Sequence, residues 1–269
     1  MSAEGLKPIV SLITDFGHSD AYVGAMKGSI VSVAPSTTIV DICHDIPAGD
    51  ILRAAFIWAM GALAFPEGTV HLGVVDPGVG TERKPIAVRT ERGVFIAPDN
   101  GLLSLVIADK SPVQVRELTN QSLWRSAVSQ TFHGRDLFGP VAGYLAAGGA
   151  FEEVGPVWKG PLERSIFPEK EAIADGVRAE VVYIDRFGNL FLNLRIDEFE
   201  GAKVCQMKID DELRPLKVGK TFGHVPPGEL VLYAGSSGYW ELAINLGNAS
   251  KVLQLVVGSK VEFFHERKV

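Results

Sequence analysis

The chain has 269 residues, 46% of them hydrophobic, which is ample for one large domain or two moderate ones with a buried core. A formal charge of −6, a pI near 5.6 and the lack of any lysine or arginine cluster argue against a nucleic-acid partner, whose phosphates demand concentrated positive charge. Cys43 and Cys205 form neither a disulfide framework nor a zinc-ligand set, MSAEGLKPIV lacks the basic start and apolar core of a signal peptide, and the longest apolar run, Ala54 to Phe65, is too short for a bilayer; the expectation is a soluble cytoplasmic protein with a small-molecule ligand and no membrane partner.

The apolar run Ile9 to Thr14 predicts a strand, followed by a helix from Asp20 to Val33 with Ser19 or Asp20 as N-cap and Pro35 as its stop. A strand at Thr38 to Ile42, a buried helix at Asp50 to Ala64, and strands at Thr69 to Val75, Ile86 to Arg89 and Val94 to Ala97 continue the pattern. This alternation implies an α/β half with a mostly parallel, doubly wound sheet. Further helices are expected at Leu102 to Ile107 and Phe138 to Ala147. Glycine, proline and charge interrupt the pattern between Gly148 and Gly176, which sets expected domains of 1–165 and 172–269. Short strands are then predicted at Val177 to Ile184, Leu190 to Leu194, Lys203 to Ile209, Glu229 to Tyr233, Tyr239 to Ile244, Val252 to Val257 and Lys260 to Phe264, as in a small barrel or sandwich.

Four strand-like runs in the first half end on an aspartate: Asp15, Asp41, Asp76 and Asp99. In an open α/β sheet the carboxyl ends of the strands are where ligands bind, so these carboxylates are expected along one crevice. Asp76 opens DPGVGTER, which lacks the lysine and hydroxyl of GxxxxGK[ST] and is not GxGxxG. A tight turn explains its glycines and proline, but not a carboxylate at the strand mouth with Arg83 just beyond. His133 sits in TFHGRD, which reads equally as a helix entry with Asp136 near its start. His44, between Cys43 and Asp45, has no second ligand cluster at metal spacing and reads as loop structure. DRFGN, from Asp185 to Asn189, is either a plain hairpin or, because Phe187 is odd at a solvated tip, a contact for a flat heterocycle.

Six motifs in order, TDFG at 14–17, VVDPGVGT at 74–81, APDNGLLS at 97–104, TFHGRDLFGPVA at 131–142, DRFGNL at 185–190 and SSGYWELAIN at 236–245, strongly resemble the S-adenosyl-L-methionine hydrolases that form adenosine, also called SAM hydroxide adenosyltransferases and formerly DUF62. The resemblance spans nearly the whole chain. It implies a Rossmann-like N-terminal domain, a β-barrel-like C-terminal domain, and a homotrimer whose sites lie between one subunit's N-terminal domain and its neighbour's C-terminal domain. Asp76, Arg83 and His133 match the set that positions water or hydroxide. Asp15 would bind the ribose hydroxyls, Phe187 and Asn189 the adenine, Asp185 the ammonium, and Ser236 with Ser237 the carboxylate. Asn245 and Leu246 would lie near the adenine edge, and Phe132 would line the reacting end. Asp99 would shape the APDNG turn, and Asp41 has no role.

The implied reaction is attack of water or hydroxide on ribose C5′, giving adenosine and L-methionine, with S-adenosyl-L-methionine as substrate and neither metal nor cofactor. The alternatives are a halogenase of the same fold and a non-catalytic adenosyl-ligand sensor. Fluorinases and chlorinases resemble this chain, but typically carry a tyrosine and small hydroxyl residues where DPGVGT and His133-Gly134 stand here. The fluorinase tryptophan is absent from the matching IPAGDI, which favours water over halide.

Overall fold

The computed structural model describes residues 7–107, 114–199 and 204–265, and the chain divides between Ile166 and Phe167 into two compact units. In the first, β1 (Ile9–Thr14), α1 (Tyr22–Val33), β2 (Thr38–Cys43), α2 (Ile51–Ala62) and β3 (Thr69–Val74) follow the predicted alternation. After them come β4 (Pro85–Arg89), β5 (Gly93–Pro98), β6 (Gln114–Glu117) and α3 (Gly139–Ala146). The six strands form one sheet in the order β2-β1-β3-β5-β4-β6. β1 pairs in parallel with β2 and β3, and β3 with β5. β4 runs antiparallel to both β5 and β6, so the sheet is mixed rather than doubly wound throughout.

Every residue of β3 is buried, as a strand covered on both faces requires. Val10, Leu12, Val70 and Leu72 pack with Met26 and Ile30 of α1 and Val141 and Ala142 of α3. On the opposite face Ile13 and Ile86 pack with Ala54, Ala55 and Trp58 of α2. The chain leaves β1 for β2 on one side and returns to β3 on the other. That switch opens a crevice beyond the carboxyl ends of β1 and β3, where Thr14 is paired with Val74.

In the second unit β7 (Glu171–Ile173), β8 (Gly176–Ile184), β9 (Leu190–Arg195), α4 (Ile196–Phe199), β10 (Val204–Ile209), β11 (Glu212–Pro215) and β12 (Lys217–Gly219) come first. They are followed by β13 (Leu230–Ala234), β14 (Tyr239–Ile244), α5 (Ala249–Leu253) and β15 (Lys260–His265). The strands line up as β11-β10-β15-β8-β9-β14-β13-β12, with β7 beside β8. β10, next to one end of this order, also meets β12 at the other end, so the sheet is nearly closed and barrel-like. Val181, Leu192, Met207, Leu232, Leu242 and Phe263 fill its core.

Several expectations are corrected. The N-cap of α1 is Ala21, with no side-chain hydrogen bond, rather than Ser19 or Asp20. Leu102 to Ile107 runs as turns rather than a helix: Gly101 is left-handed (φ 96°), Asn100 Oδ1 accepts the Leu102 amide and the Gly101 carbonyl accepts the Ser104 amide. Val252 to Val257 is not a strand: the Asn248 side chain accepts from the Lys251 amide and starts α5, which Gln254 ends in the left-handed region at φ 55°. A π-helical turn, Gly134–Phe138, precedes α3. β6, β7, β11 and β12 escape a hydrophobic-run reading because they are short and polar. Lys203, the predicted start of β10, lies outside the described residues. No helix among those residues is long and apolar enough to cross a membrane.

Ser11 on β1 and its register partner His71 on β3 form a buried hydrogen-bonded pair at 2.6 Å, and the His71 ring stacks on Phe95. Burial, with a smaller contribution from Arg92, lowers the His71 pKa from 6.5 to about 4. Below pH 6.5 the unfolded chain therefore binds a proton that the folded one refuses. This contribution to stability is complete above pH 6.5 and is lost as the pH falls toward 4, by about 1.4 kcal/mol per pH unit for one group. Denaturant titrations between pH 7 and 4.5 should show a shallower loss for His71→Gln than for the native chain. Equal slopes would place the acid sensitivity elsewhere.

Candidate active site

Asp76 lies two residues beyond β3, and the turn that follows bends it toward Arg83. The Asp76 carbonyl accepts from Val79, the Gly78 carbonyl accepts from the Thr81 amide, and Thr81 Oγ1 closes the turn on Gly78 at 2.6 Å. Gly80 is required here for two reasons: its φ is 79°, and a Cβ would lie 2.6 Å from the Gln130 carbonyl. That close approach sets the DPGVGT turn against the segment that ends at His133. From behind, Asn100 Nδ2 donates to the Val75 carbonyl at 2.9 Å, which fixes the strand end just before Asp76.

The Arg83 guanidinium bridges the other two members of the set. Its Nε donates to both Asp76 oxygens at 3.0 and 2.9 Å, and Nη2 donates to Asp76 Oδ2 at 2.5 Å. The same Nη2 donates to His133 Nδ1 at 2.7 Å. Because arginine has no acceptor, His133 Nδ1 must be unprotonated and the ring proton sits on Nε2. Burial, then the Arg83 charge, push the His133 pKa below its ordinary value, with Asp76 and Asp136 opposing. A neutral imidazole results near pH 7, with an N–H to offer and its lone pair committed. The Asp76 and Arg83 side chains are 4% and 9% exposed. At such burial a pair holds well together, but losing one partner costs about 3–5 kcal/mol.

A cavity of about 470 Å³ adjoins this set, lined by Asp15, Phe16, Tyr22, Gly49, Asp76, Thr131, Phe132 and His133, among others. Asp15 Oδ2 accepts from the Gly49 amide at 2.8 Å. Phe16, Tyr22 and Phe132 meet edge-on or tilted, with centroids 5.2 to 6.0 Å apart, as an aromatic wall. Asp136 is fully buried, pairs with Arg135 and Arg125, and accepts from the Ser129 amide; it anchors the loop that delivers Phe132 and His133. Arg83 itself does not line the cavity. Asp99 shapes its turn by accepting from the Glu163 amide. Asp41, given no role by the sequence, pairs with Lys27 and His44. Among the described residues no group of three His, Cys, Asp or Glu stands together as a metal set.

In the second unit the DRFGN turn is closed by Asp185, whose Oδ1 accepts the amides of Phe187 and Asn189 and whose Oδ2 accepts Asn189 Nδ2, each at 2.9 Å. This leaves the Asn189 side-chain oxygen free to accept. Phe187 is 67% exposed. Phe187, Asn189 and Leu246 line a second cavity of about 310 Å³ with Phe222, Ile244 and Gly247. Asp185, Ser236, Ser237 and Asn245 are not on its wall; Asn245 Nδ2 is spent on the Val225 carbonyl. Ser237 accepts from the Tyr239 amide and bonds to the buried Glu241, so the exposed Ser236 is the freer hydroxyl.

Phe16, Tyr22, Gly49 and Asn100 escaped the sequence reading. Phe16 and Asn100 lie inside quoted motifs, beside Asp15 and Asp99 respectively, which is the one signal that could have found them. Gly49 lies in the quoted stretch IPAGDI, whereas Tyr22 carries no such signal, since its place depends on how α1 starts.

A charged set beside an aromatic-walled cavity at a sheet's switch point is the anatomy of an enzyme acting on a small molecule. The N-terminal domain of the SAM hydroxide adenosyltransferases matches residues 10–155, and the C-terminal domain of the same family matches residues 179–262. A (R)-S-adenosyl-L-methionine hydrolase of Salinispora tropica is 38% identical over 94% of this chain and 97% of its own length. A fluorinase of an Actinoplanes strain is 28% identical over 97% of this chain and 98% of its own. A conserved protein of Thermotoga maritima, known from a crystal structure, superimposes with a TM-score of 0.90 at 36% identity, covering 96% of this chain and all of that one. The chain belongs to the SAM hydroxide adenosyltransferase family.

The charge pattern makes a direct spectroscopic prediction. Replacing Arg83 by glutamine removes a cation that depresses His133 while leaving Asp76 and Asp136, which raise it. The His133 pKa, followed by NMR of its ring protons, should move up in Arg83→Gln. An unchanged or lower value would mean that the guanidinium does not set the histidine's protonation.

Proposed function

We propose that this protein hydrolyses S-adenosyl-L-methionine to adenosine and L-methionine. The observation that carries the reading is the Asp76–Arg83–His133 set, of which Asp76 and His133 line a 470 Å³ cavity, and the family membership supports it. Water oxygen forms a bond to ribose C5′ as the C5′–S bond breaks. The electron pair goes to sulfur, methionine leaves as a neutral thioether, and one proton is released.

The thioether leaves without a general acid, so the barrier lies with the nucleophile, since bulk water has a pKa of about 15.7. His133 Nε2–H donates to the attacking oxygen and holds it. With the His133 lone pair tied to Arg83, Asp76 is the acceptor for its proton. Arg83 fixes both groups. Phe132 closes the reacting end, and excluding bulk water strengthens each of these interactions. Asp15 keeps Oδ1 for the ribose hydroxyls.

In this reading the first unit, residues 1–165, is Rossmann-like and holds the reacting end. The second, residues 172–269, supplies the other contacts: Phe187, Asn189, Asn245 and Leu246 the adenine, Asp185 the ammonium, and Ser236 with Ser237 the carboxylate. The assembly is a homotrimer in the cytoplasm, in which these two sets come from different subunits. The name of the curated relatives specifies the (R) epimer, so the substrate is tested as resolved sulfonium epimers.

Purified protein incubated with S-adenosyl-L-methionine should yield adenosine and methionine in equal amounts, and no 5′-halo-5′-deoxyadenosine when chloride or fluoride is added. Asp76→Asn and His133→Asn should lower kcat by about 100-fold or more while substrate binding changes far less. Tight binding with no adenosine would make the protein a sensor and overturn the hydrolase reading.

Acid should also silence the enzyme. His133 must be neutral to accept from Arg83, and its folded pKa lies below 6.5. The kcat/KM profile should stay level near pH 7 and fall on the acid side below pH 6.5; activity that rises on acidification would contradict a neutral His133.

A further inference from the structure

Beneath the Asp15 loop runs a chain of hydrogen bonds that the cavity itself never touches. Thr14 Oγ1 accepts the Phe16 amide proton at 3.2 Å and lies 2.7 Å from His44 Nδ1. His44 Nε2 lies 3.1 Å from Asp41 Oδ1, and because a carboxylate only accepts, the ring proton sits on Nε2 and Nδ1 takes the Thr14 hydroxyl proton. Asp41 Oδ2 in turn accepts from Lys27 of α1 at 2.7 Å. The His44 main chain joins in: its carbonyl accepts from the Gly17 amide at 2.8 Å.

Thr14 and His44 are 0% and 1% exposed, and polar groups buried this deeply are costly unless satisfied. A Thr-His-Asp series has the form of an activated nucleophile, but Thr14 does not line the 470 Å³ cavity and is buried. What the chain does reach is the backbone on both sides of Asp15. Thr14 and Gly17 are fastened to His44, while Asp15 Oδ2 is fastened to Gly49 farther along the same segment. The carboxylate is thereby held in register with the wall at Gly49.

We propose that the Thr14–His44–Asp41 chain is a positioning device that fixes the Asp15 carboxylate for the ribose hydroxyls of the adenosyl group. The proposal rests on the adenosyl reading of the cavity. His44 and Thr14 act through Asp15 and do not touch the reacting atoms. Loss of the chain therefore weakens ribose binding and leaves the chemical step, which belongs to Asp76 and His133, nearly untouched.

The test is adenosine binding by calorimetry together with steady-state kinetics on the full-length protein. Thr14→Val, isosteric but without the hydroxyl, and His44→Gln should each weaken adenosine binding and raise KM by about tenfold, with kcat kept within about twofold. Thr14→Ser restores the hydroxyl and should return both constants toward native. Lys27→Ala breaks only an exposed pair and should behave like the native chain. A purely structural role would lower melting temperature without separating KM from kcat.

Native adenosine affinity in His44→Gln, alongside lost affinity in Asp15→Ala, would overturn this proposal and leave the hydrolase reading standing. A fall in kcat with KM unchanged would overturn it as well. If the native protein neither binds nor forms adenosine, the functional reading fails first and the proposal falls with it. Should Thr14→Val not fold, His44→Gln and Thr14→Ser decide the matter by the same criteria.

Discussion

The Arg83 guanidinium is the interaction on which the site depends. It is nearly buried, bonded to both oxygens of Asp76 and to Nδ1 of His133. One planar, permanently charged group thus fixes a carboxylate and selects a histidine tautomer together, which a lysine's point charge does not do. The desolvation of such a pair is repaid only by good geometry, and the surroundings supply it. β3 delivers Asp76 at the sheet's switch point, Asn100 holds the strand end, Gly80 lets the turn meet the Gln130 carbonyl, and Asp136 anchors the loop to His133.

The fold was legible wherever hydrophobic runs were long. β1 and β14 have the predicted bounds, and α1, α2, α3 and the remaining longer strands differ by one or two residues at their ends. The periodicity did not reveal strand direction: Ile86 to Arg89 and Val94 to Ala97 read alike, yet β4 turns back antiparallel on β5 because only three residues, Thr90 to Arg92, separate them, too few for a crossover helix. Nor did it expose elements decided by caps, such as α5, where one asparagine side chain outweighs the β-branched residues that follow.

At the site, residue types were readable and their commitments were not. Asp15, Asp76, Phe132 and His133 share one cavity, as strand-end and motif positions suggested. The sequence could not tell that Arg83 stands behind that wall, that Ser237 is engaged with Glu241, or that Asn189 gives its amide protons to Asp185. Those facts follow from which polar groups burial forces to pair, and they sharpen the chemistry. In the proposed reaction the occupied imidazole lone pair assigns the proton to Asp76 and makes His133 the donor that holds the oxygen.

The central claim is that oxygen from solvent becomes bonded to ribose C5′. Hydrolysis in ¹⁸O-water, with products resolved by mass spectrometry, tests it directly. The account predicts adenosine carrying one solvent oxygen at its 5′ hydroxyl and methionine carrying none from the reaction. Label in homoserine beside 5′-methylthioadenosine would mean that water attacks the amino-acid chain rather than the ribose, and would contradict it.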